Sequence, residues 1–373
     1  MKQFGFILLY LISLSLSAQE KKIEKLPIGS NAPAFNLPGV DGRNYSLDDF
    51  SAKDYLVVMF ICNHCPTAQA YEKKIIDIVS AYGPKGVGFV AISPNDPKAI
   101  SLSELGYTDL SDNLEEMKLR AKHMNYNFPY LYDGENQKVS IAYGPSATPH
   151  VFLFDKNRKL VYSGRIDDTE NPYITPKTTD LKNALDAALS GKSVPTAETK
   201  TFGCSIKWSW KGDWVEKLAA QWAQEEVTLE EIDLAGIGHL IKNKEGKKLR
   251  LINFWATWCG PCIIEFPEFV DINRMYRDRD FEFISVSADK LNRKEKALGF
   301  LKKKEASSKN YIFSGSSIYD LIEVVDADWQ GALPYTILIN KEGQVVYKTD
   351  GVIDPQLLKR KIVEQLGRYY ADN

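Results

Sequence analysis

The sequence has little histidine, few cysteines and no excess of charge of either sign. Its 373 residues include four histidines and five cysteines, and 47 basic side chains nearly balance 49 acidic ones. A chain without a basic excess offers no face that would attract phosphate backbones, so no nucleic acid partner is predicted. Five cysteines in a chain of this length also exclude a dense scaffold of structural disulfides.

Long hydrophobic runs are absent beyond the N-terminus. A lysine precedes a mostly apolar run from Phe4 to Leu16, and small residues follow through Ala18, which is typical of a cleavable secretory signal over residues 1–18. The run is shorter than the roughly 20 helical residues that cross a bilayer, so an uncleaved anchor is the weaker alternative. We therefore expect an exported protein, periplasmic or extracellular, without a stable membrane span after cleavage.

The five cysteines are arranged as two C-x-x-C pairs and one single residue. Cys62 and Cys65 form the first pair, Cys259 and Cys262 form the second, and Cys204 stands alone. Export would place them in an oxidising compartment, where disulfides are stable. Because both pairs lie between an apolar run and a helical pattern, they suit a bridge that opens and closes better than a fixed brace.

The chain reads as two copies of one α/β unit. In the first copy a hairpin pattern, a buried strand "YLVVMFI", a helix from Ala68 to Gly83 and a strand "GVGFVAIS" form a βαβ unit. Each copy ends with a strand pair and an amphipathic helix. The predicted organisation is a first domain over 27–192, a linker with a Trp-rich helix over 193–227, and a second domain over 228–373.

The predicted linker has two parts. Residues 191–201 are small and polar, which suits an exposed connection. Trp214, Leu218 and Trp222 follow at four-residue steps, and we expect this apolar stripe to be buried where it joins the domains, rather than to bind a substrate peptide.

The position of a cysteine on a helix predicts its role. Residues i and i+3 of a first turn lie about 5 to 6 Å apart, within disulfide reach. Unpaired backbone N–H groups and the helix dipole favour a thiolate at the first position. Cys62 and Cys259 are therefore predicted to attack, and Cys65 and Cys262, one turn further in, to resolve the mixed disulfide.

The second copy resembles the thioredoxin family through "FWATWCGPC", which includes Trp258, Gly260 and Pro261. Within that family it is similar to the exported, TlpA-like thiol reductases. The resemblance implies that Pro334 is a cis-proline facing the pair and that the backbone of Leu333 binds a substrate peptide. Asn253 stands where cytoplasmic thioredoxins have a buried aspartate. Glu265 is accordingly the predicted proton acceptor for Cys262, with a solvated first-turn glutamate as the alternative.

The first copy resembles the redoxin group, related to the peroxiredoxins and the AhpC/TSA proteins, through "GSNAPAFNL", "FICNHCP", "TPHVFLFDKNRKLVYSGRIDD" and "FGCSIKW". The two resemblances together imply two thioredoxin-like domains in tandem, each a central mixed β-sheet flanked by helices. Pro149 is the implied cis-proline of the first domain, with Thr148 before it. A peroxidase with antioxidant activity that uses Cys62 is an alternative function, although neither Cys62 nor Cys65 is preceded by the threonine and proline of a peroxiredoxin site.

Two further residues of the first copy bear on its chemistry. His64 corresponds, by the same resemblance, to the residue that distinguishes oxidising from reducing C-x-x-C proteins, and we expect it to make the first site the more oxidising one. Copper or zinc bound by Cys62, His64 and Cys65, with His150 to complete the set, is the alternative. Cys204 is open to three interpretations: a buried thiol, a third redox thiol or an intermolecular bridge.

The sequence thus predicts a thiol–disulfide oxidoreductase that acts on exported proteins through two C-x-x-C sites. No organic cofactor and no resident metal are expected. The expected partners are protein disulfide or dithiol substrates and a membrane or periplasmic thiol electron donor, because an oxidising compartment does not itself recharge a reductant. A third alternative is that one of the two domains has become a binding module.

Overall fold

The computed structural model describes residues 23–171, 173–244 and 246–370. The predicted signal segment, 1–18, lies outside these residues. The described chain contains two mixed sheets, each built around a βαβ unit and each flanked by helices. The predicted fold class, two thioredoxin-like α/β domains in tandem, is confirmed.

The first sheet has five strands in the order β5-β4-β3-β6-β7. Strands β3, β4 and β5 are parallel, while β6 and β7 form antiparallel pairs with their neighbours, β6 with β3 and β7 with β6. A separate hairpin, β1 with β2, precedes the sheet. The strands are β1 (Asn36–Pro38), β2 (Asn44–Ser46), β3 (Tyr55–Phe60), β4 (Val87–Ser93), β5 (Tyr130–Tyr132), β6 (His150–Phe154) and β7 (Leu160–Gly164). The helices are α1 (Pro66–Tyr82), α2 (Leu114–Met124), α3 (Lys138–Tyr143) and α4 (Asp180–Leu189).

The second sheet has six strands in the order β13-β12-β9-β10-β11-β8. A helix, α5 (Gly212–Trp222), lies between the two sheets in the chain. The strands are β8 (Glu230–Ile232), β9 (Leu249–Trp255), β10 (Phe281–Ser287), β11 (Lys309–Phe313), β12 (Tyr335–Ile339) and β13 (Val345–Asp350). The helices are α6 (Leu234–Lys242), α7 (Gly260–Tyr276), α8 (Lys294–Lys303), α9 (Ile318–Val325) and α10 (Pro355–Leu366).

Both sheets are buried on their two faces, which explains why the central strands read as continuous apolar runs. In the first domain one face of β3 packs with α1 and α4, and the other face packs with the hairpin and α3. In the second domain α7 and α10 cover one face of β9, and α6 and α9 cover the other. This layering holds the start of α1 and the start of α7 at the carboxyl ends of the central parallel strands.

The predicted linker is more ordered than its composition indicates. Residues 197–199 pair with the edge of β7, since Ser163 N donates to Ala197 O (2.9 Å) and Thr199 N donates to Ser163 O (3.1 Å). Only Trp222 of the predicted stripe is buried, and it lies beneath Arg274 and Arg277 of the second domain. The expectation of a buried stripe is wrong at Trp214, which is 58% exposed.

A loop of the first domain, residues 106–109, contacts the second domain. Tyr276 Oη donates to Thr108 O (2.8 Å), and Arg279 donates to Gly106 O (2.9 Å). Beyond α10, Arg368 donates to Asp109 (2.9 Å). These hydrogen bonds bring the end of the second domain against the first.

Candidate functional site

The second C-x-x-C pair sits at the start of α7 as predicted. Cys259 is the N-cap residue, and its Sγ accepts a hydrogen bond from Cys262 N (3.3 Å). The two residues form a disulfide with their Cα atoms 5.3 Å apart. Gly260 and Pro261 are the first two helical residues, where a proline is compatible with a helix because its missing N–H has no partner there. The pair therefore has a first sulfur beside the helix N-terminus.

The surface beside this pair contains an open cavity lined by both apolar and basic side chains. Trp258 is 64% exposed, and with Leu333 and Lys290 it lines a cavity of about 630 Å³. The bond between Leu333 and Pro334 is cis, as expected. An exposed indole beside a cavity with apolar and basic walls is an arrangement that can hold a segment of another protein.

A buried carboxylate lies behind the second pair. Glu265 is 5% exposed, accepts from Ile353 N (2.9 Å) and lies 3.5 Å from Asn253 Nδ2. Burial raises its pKa to about 7, and these hydrogen bonds offset only part of that rise. Glu265 is thus buried, and the alternative of a solvated glutamate is wrong.

Asp289 is a residue of the second site that the sequence did not single out. It follows β10 and accepts from Thr257 N (2.7 Å) and Thr257 Oγ1 (2.8 Å), which holds the loop before Cys259. Its only sequence signal is its place just after a buried strand, where polar side chains meet the carboxyl edge of a parallel sheet.

The first pair occupies a different helix position from the second. Helix α1 begins at Pro66, so Cys65 is its N-cap residue, and Cys65 Sγ accepts from Ala68 N (3.4 Å). Cys62 lies three residues before the N-cap. The prediction that Cys62 lies at the helix N-terminus and Cys65 one turn further in is therefore wrong.

Strand register gives the same result. Phe60 pairs with His150, and Phe254 pairs with Tyr335; each partner directly follows a cis-proline. Five residues after Phe60 is Cys65, and five residues after Phe254 is Cys259. Cys65 is thus the structural counterpart of Cys259.

The cysteine that is not at the N-cap lies on opposite sides of the N-cap position in the two pairs. Ala68 occupies the place of Cys262, and Cys62 occupies the place of Ala256. For the same reason His64 precedes the N-cap cysteine instead of following it, so it does not hold the position that the resemblance assigned to it. The sequence signal for this shift was Pro66, since proline favours the first helical position.

His64 is buried against a carboxylate from a distant loop. Its Nδ1 donates to Asp112 (2.6 Å), and Asp112 also accepts from Asn63 N, His64 N and Asn95 Nδ2 at 2.7 to 3.0 Å. Burial alone would lower the pKa of His64, but the charge and hydrogen bond of Asp112 raise it above the ordinary value. The pair favours an imidazolium beside the cysteines, and no local sequence signal links Asp112 to them.

The environment of Cys65 favours a thiolate. Burial opposes the charge, but hydrogen bonds from Cys204 and Cys62, the charge of His64 and the Ala68 N–H lower the pKa of Cys65 well below its ordinary value. Burial, with Cys65 and Asp112, instead raises the pKa of Cys62. These opposite directions point to Cys65 as the nucleophile and Cys62 as its neighbour.

The cis-proline of the first domain lies beside both sulfurs. The bond between Thr148 and Pro149 is cis. Cys62 Sγ lies 3.2 Å from Thr148 Oγ1, and Cys65 Sγ lies 3.1 Å from Thr148 O. Cys204 is brought to the same place, because its backbone N donates to Cys65 Sγ (3.4 Å). The predicted residues Cys62, Cys65, Thr148, Pro149 and Cys204 therefore form one cluster.

His150 does not join this cluster. Its Nδ1 accepts from Ser146 N (3.1 Å), its Nε2 lies 3.0 Å from Ser163 Oγ, and burial lowers its pKa to about 3. In the described chain, one ligand atom each from Cys62, His64 and Asp112 lies within 4.8 Å of the others. The Asp112 oxygens already accept four hydrogen bonds that hold the loop and the imidazole, whereas His64 Nε2 is buried without a hydrogen-bond partner among the described residues.

Two family models match the chain. The AhpC/TSA family model matches residues 28–163, and the Redoxin family model matches residues 218–366. A thiol–disulfide oxidoreductase ResA of Bacillus cereus is 30% identical over 142 residues, which cover 38% of this chain and 77% of that protein. The chain belongs to the thioredoxin-like thiol–disulfide oxidoreductases. It is a tandem member with two redoxin-type domains.

A second ResA protein and a solved structure also match parts of the chain. A ResA protein of Bacillus thuringiensis (strain Al Hakam) is 28% identical over 160 residues, 43% of this chain and 83% of that protein. A crystal structure of an uncharacterized conserved protein from Geobacillus kaustophilus is 40% identical, with a TM-score of 0.44, and the match covers 49% of this chain and 93% of that one. Among the described residues, no helix of this oxidoreductase is long and apolar enough to cross a bilayer.

Proposed function

We propose that this chain is an exported oxidoreductase that exchanges disulfides with other proteins through both C-x-x-C pairs. One observation carries the proposal: in each domain an N-cap cysteine faces the backbone edge before a cis-proline and has a second sulfur within bonding reach. This arrangement combines an activated nucleophile, a peptide-binding edge and a resolving thiol.

In the second domain the cycle begins with the reduced pair. Cys259 thiolate attacks a sulfur of the substrate disulfide, a mixed disulfide forms beside Pro334, and the released substrate sulfur takes a proton. Cys262 then attacks Cys259 Sγ, which frees the second substrate thiol and leaves the Cys259–Cys262 disulfide. Glu265, buried and with a pKa near neutrality, accepts the proton that Cys262 loses.

In the first domain the same steps start at Cys65 and end at Cys62. The imidazolium of His64 and the helix N-terminus stabilise the Cys65 thiolate, which stabilises the reduced state. The first site is therefore proposed to be the more oxidising of the two, and electrons would flow to it from the second.

The proposed partners are exported proteins with disulfides or dithiols. A membrane or periplasmic thiol donor would recharge the site that works as a reductant. The apolar run at the N-terminus supports export, and the names of the ResA relatives support thiol–disulfide chemistry.

Covalent trapping tests the proposal. Cys262→Ser removes the resolving thiol of the second pair, and the double variant Cys62→Ser, Cys204→Ser removes both thiols beside Cys65, so each should retain mixed disulfides with a model protein disulfide such as oxidised ribonuclease, visible as a mass shift lost on reduction. Adding Cys259→Ser or Cys65→Ser, respectively, should abolish the adduct. Equal adducts with and without the N-cap cysteine would contradict the assigned nucleophiles.

Two competing functions have separate tests. The AhpC/TSA match and the lowered pKa of Cys65 favour a peroxidase as a second candidate, which would consume peroxide at a rate abolished by Cys65→Ser. The positions three and seven residues before Cys65 hold Cys62 and Val58, neither of which can supply a threonine hydroxyl or a proline. Metal binding predicts one copper or zinc ion retained by the dialysed, reduced protein and lost in His64→Ala.

A further inference from the structure

A short segment of the chain lies on the backbone edge beside the first site. Thr148 N donates to Cys204 O (3.0 Å), and the two residues form an isolated antiparallel bridge. Gly203 sits so close to this edge that an added Cβ would lie 2.1 Å from Thr148 O. Only glycine allows the approach, and its φ of +119° is likewise one that other residues rarely adopt.

The equivalent edge of the second domain has no such cover. Leu333 holds the place of Thr148, directly before the cis-proline, and it lines the cavity beside Trp258. Within the described ranges, no hydrogen bond joins the Leu333 backbone to another residue. One edge is thus occupied by the protein's own chain, and the other is available.

The covering segment also places a third sulfur next to the nucleophile. Cys204 N donates to Cys65 Sγ (3.4 Å), and the Cys204 thiol lies close enough to that sulfur to help lower the pKa of Cys65. The Cys62 thiol is a further neighbour of Cys65. Cys204 is only partly buried and Gly203 is exposed, so the bridge lies near the surface, between Phe202, which packs against Tyr71, and the buried Ile206.

We propose that residues 203–204 are an internal substrate strand of the first domain and that Cys204 exchanges disulfides with Cys65. The inference rests on the proposed thiol–disulfide chemistry of this domain. From the Cys62–Cys65 disulfide, Cys204 thiolate attacks Cys65 Sγ. The Cys65–Cys204 bond forms, the Cys62–Cys65 bond breaks, and Cys62 leaves as a thiolate that takes the proton given up by Cys204. No outside oxidant is consumed in this step.

The strand restricts which molecules reach Cys65. An external peptide that pairs with Thr148 must displace Gly203 and Cys204 first. Exchange with Cys204 keeps the strand in place, whereas release of the strand exposes the edge that Leu333 already presents in the second domain. Access to the first site is therefore restricted by the protein's own chain, and Cys204 both covers the backbone edge and exchanges disulfides with Cys65.

Disulfide mapping in the full-length protein tests the sulfur exchange. Cys62→Ser, reduced and then treated with oxidised glutathione, should form a Cys65–Cys204 disulfide, found by peptide mass mapping without reduction. The double variant Cys62→Ser, Cys204→Ser should instead keep glutathione on Cys65. A glutathione adduct on Cys65 with Cys204 still a thiol in the single variant would overturn the proposal. Oxidation of Cys259–Cys262 in the same sample reports the general chemistry separately.

A glycine substitution tests the cover. Gly203→Ala should lift the strand and raise the rate at which a bulky maleimide modifies Cys65 by about tenfold, since it removes a buried backbone hydrogen bond. Gly191→Ala is the matched control, because Gly191 also has a positive φ (+69°) but no atom within 4 Å of an added Cβ. Equal rates in the two variants, with native circular dichroism, would overturn the internal strand.

Discussion

The two domains share one arrangement of strand, helix and cis-proline loop, but they place the remaining functional groups differently. Both place a cysteine at the N-cap of the helix after the central strand and face it with a cis-proline loop. The second domain keeps its other sulfur inside the helix and leaves the peptide edge open. The first keeps its other sulfur before the helix, adds an imidazole and covers the edge with Cys204.

This difference supports the proposal that the helix N-terminus, and not the C-x-x-C spacing, selects the nucleophile. The spacing is the same in both pairs, yet the N-cap cysteine, which is the proposed nucleophile, is the second cysteine of the first pair and the first cysteine of the second pair. A resolving sulfur only has to reach the N-cap sulfur, and it can do so from the preceding loop or from the first turn.

The largest effect is expected from loss of the proposed nucleophile of the second site, which we call the open site because its peptide edge is uncovered. Cys259→Ser should lower the rate at which reduced protein reduces insulin by about a thousandfold or more, because the nucleophile that starts the cycle is gone. Val345→Ser is a suitable control, since Val345 is exposed at the start of β13, far from Pro334 in the register. Substantial insulin reduction by Cys259→Ser would show that the covered site also works on large proteins.

A smaller effect concerns proton transfer at the open site. With a pKa of about 7, Glu265 is largely a carboxylate only above neutrality, so resolution of a Cys259 mixed disulfide should speed up as pH rises through 7. Glu265→Gln should remove this step and slow resolution at pH 8 by about a hundredfold. Stopped-flow release of a fluorescent thiol measures the rate.

The stability of the same variant gives an independent check. A folded pKa above the ordinary 4.5 means that folded Glu265 binds more protons than the unfolded chain between about pH 4.5 and 7. Its contribution to stability therefore falls as pH rises through that window. Glu265→Gln should lack this loss, and a parallel pH dependence of both proteins in chemical denaturation would place the titration on another group.

Much of this architecture could be predicted from the sequence. Apolar runs and helical periodicity indicated β3, α1 and β4, and the family resemblances indicated Pro149 and Pro334 as the prolines that face the sulfurs. These features follow from local patterns that are repeated in the two copies. The repetition also misled, because it aligned Cys62 with Cys259 by motif spacing although the strand register aligns Cys65 with Cys259.

The rest of the first site depends on contacts between distant segments. Asp112 reaches His64 across 48 residues, and Cys204 reaches Cys65 across 139. No local sequence pattern predicts either contact, because both depend on where loops cross the carboxyl edge of the sheet. The burial of Trp222 but not Trp214 likewise depends on which turn of α5 meets the second domain.

The redox potential of the Cys62–Cys65 couple, at the covered site of the first domain, gives a further way to compare the two domains. His64→Ala should make the Cys62–Cys65 couple less oxidising by about 30 to 60 mV, because a charge-assisted contact to the Cys65 environment is lost. His123→Ala is the matched control, since His123 is exposed on α2 of the same domain. Titration against glutathione buffers with alkylation gives both values, and an unchanged potential in His64→Ala would remove the imidazole from the explanation.

The smallest expected effect concerns the tail that follows α10, which belongs to the open domain but lies against the covered one. Arg368 bonds to Gln69 of α1 and to the buried Asp109, and Tyr370 Oη lies 3.4 Å from Thr67 Oγ1. Burial would raise the pKa of Asp109, but the charge of Arg368 lowers it below the ordinary 3.8.

Arg368→Ala should therefore reduce the free energy of unfolding by about 1 to 2 kcal/mol near neutral pH, because Asp109 stays buried after losing its nearest cation. Because the pKa of Asp109 is lower in the folded protein than in the unfolded chain, its carboxylate stabilises the fold above about pH 4. That stabilisation disappears as pH falls through the folded-state pKa. The difference from wild type should accordingly shrink below pH 4 in chemical denaturation. Lys361→Ala, which removes an exposed pair on α10, should change the same quantity by less than about 0.5 kcal/mol. An equal loss in both variants would mean that the tail does not brace the covered site.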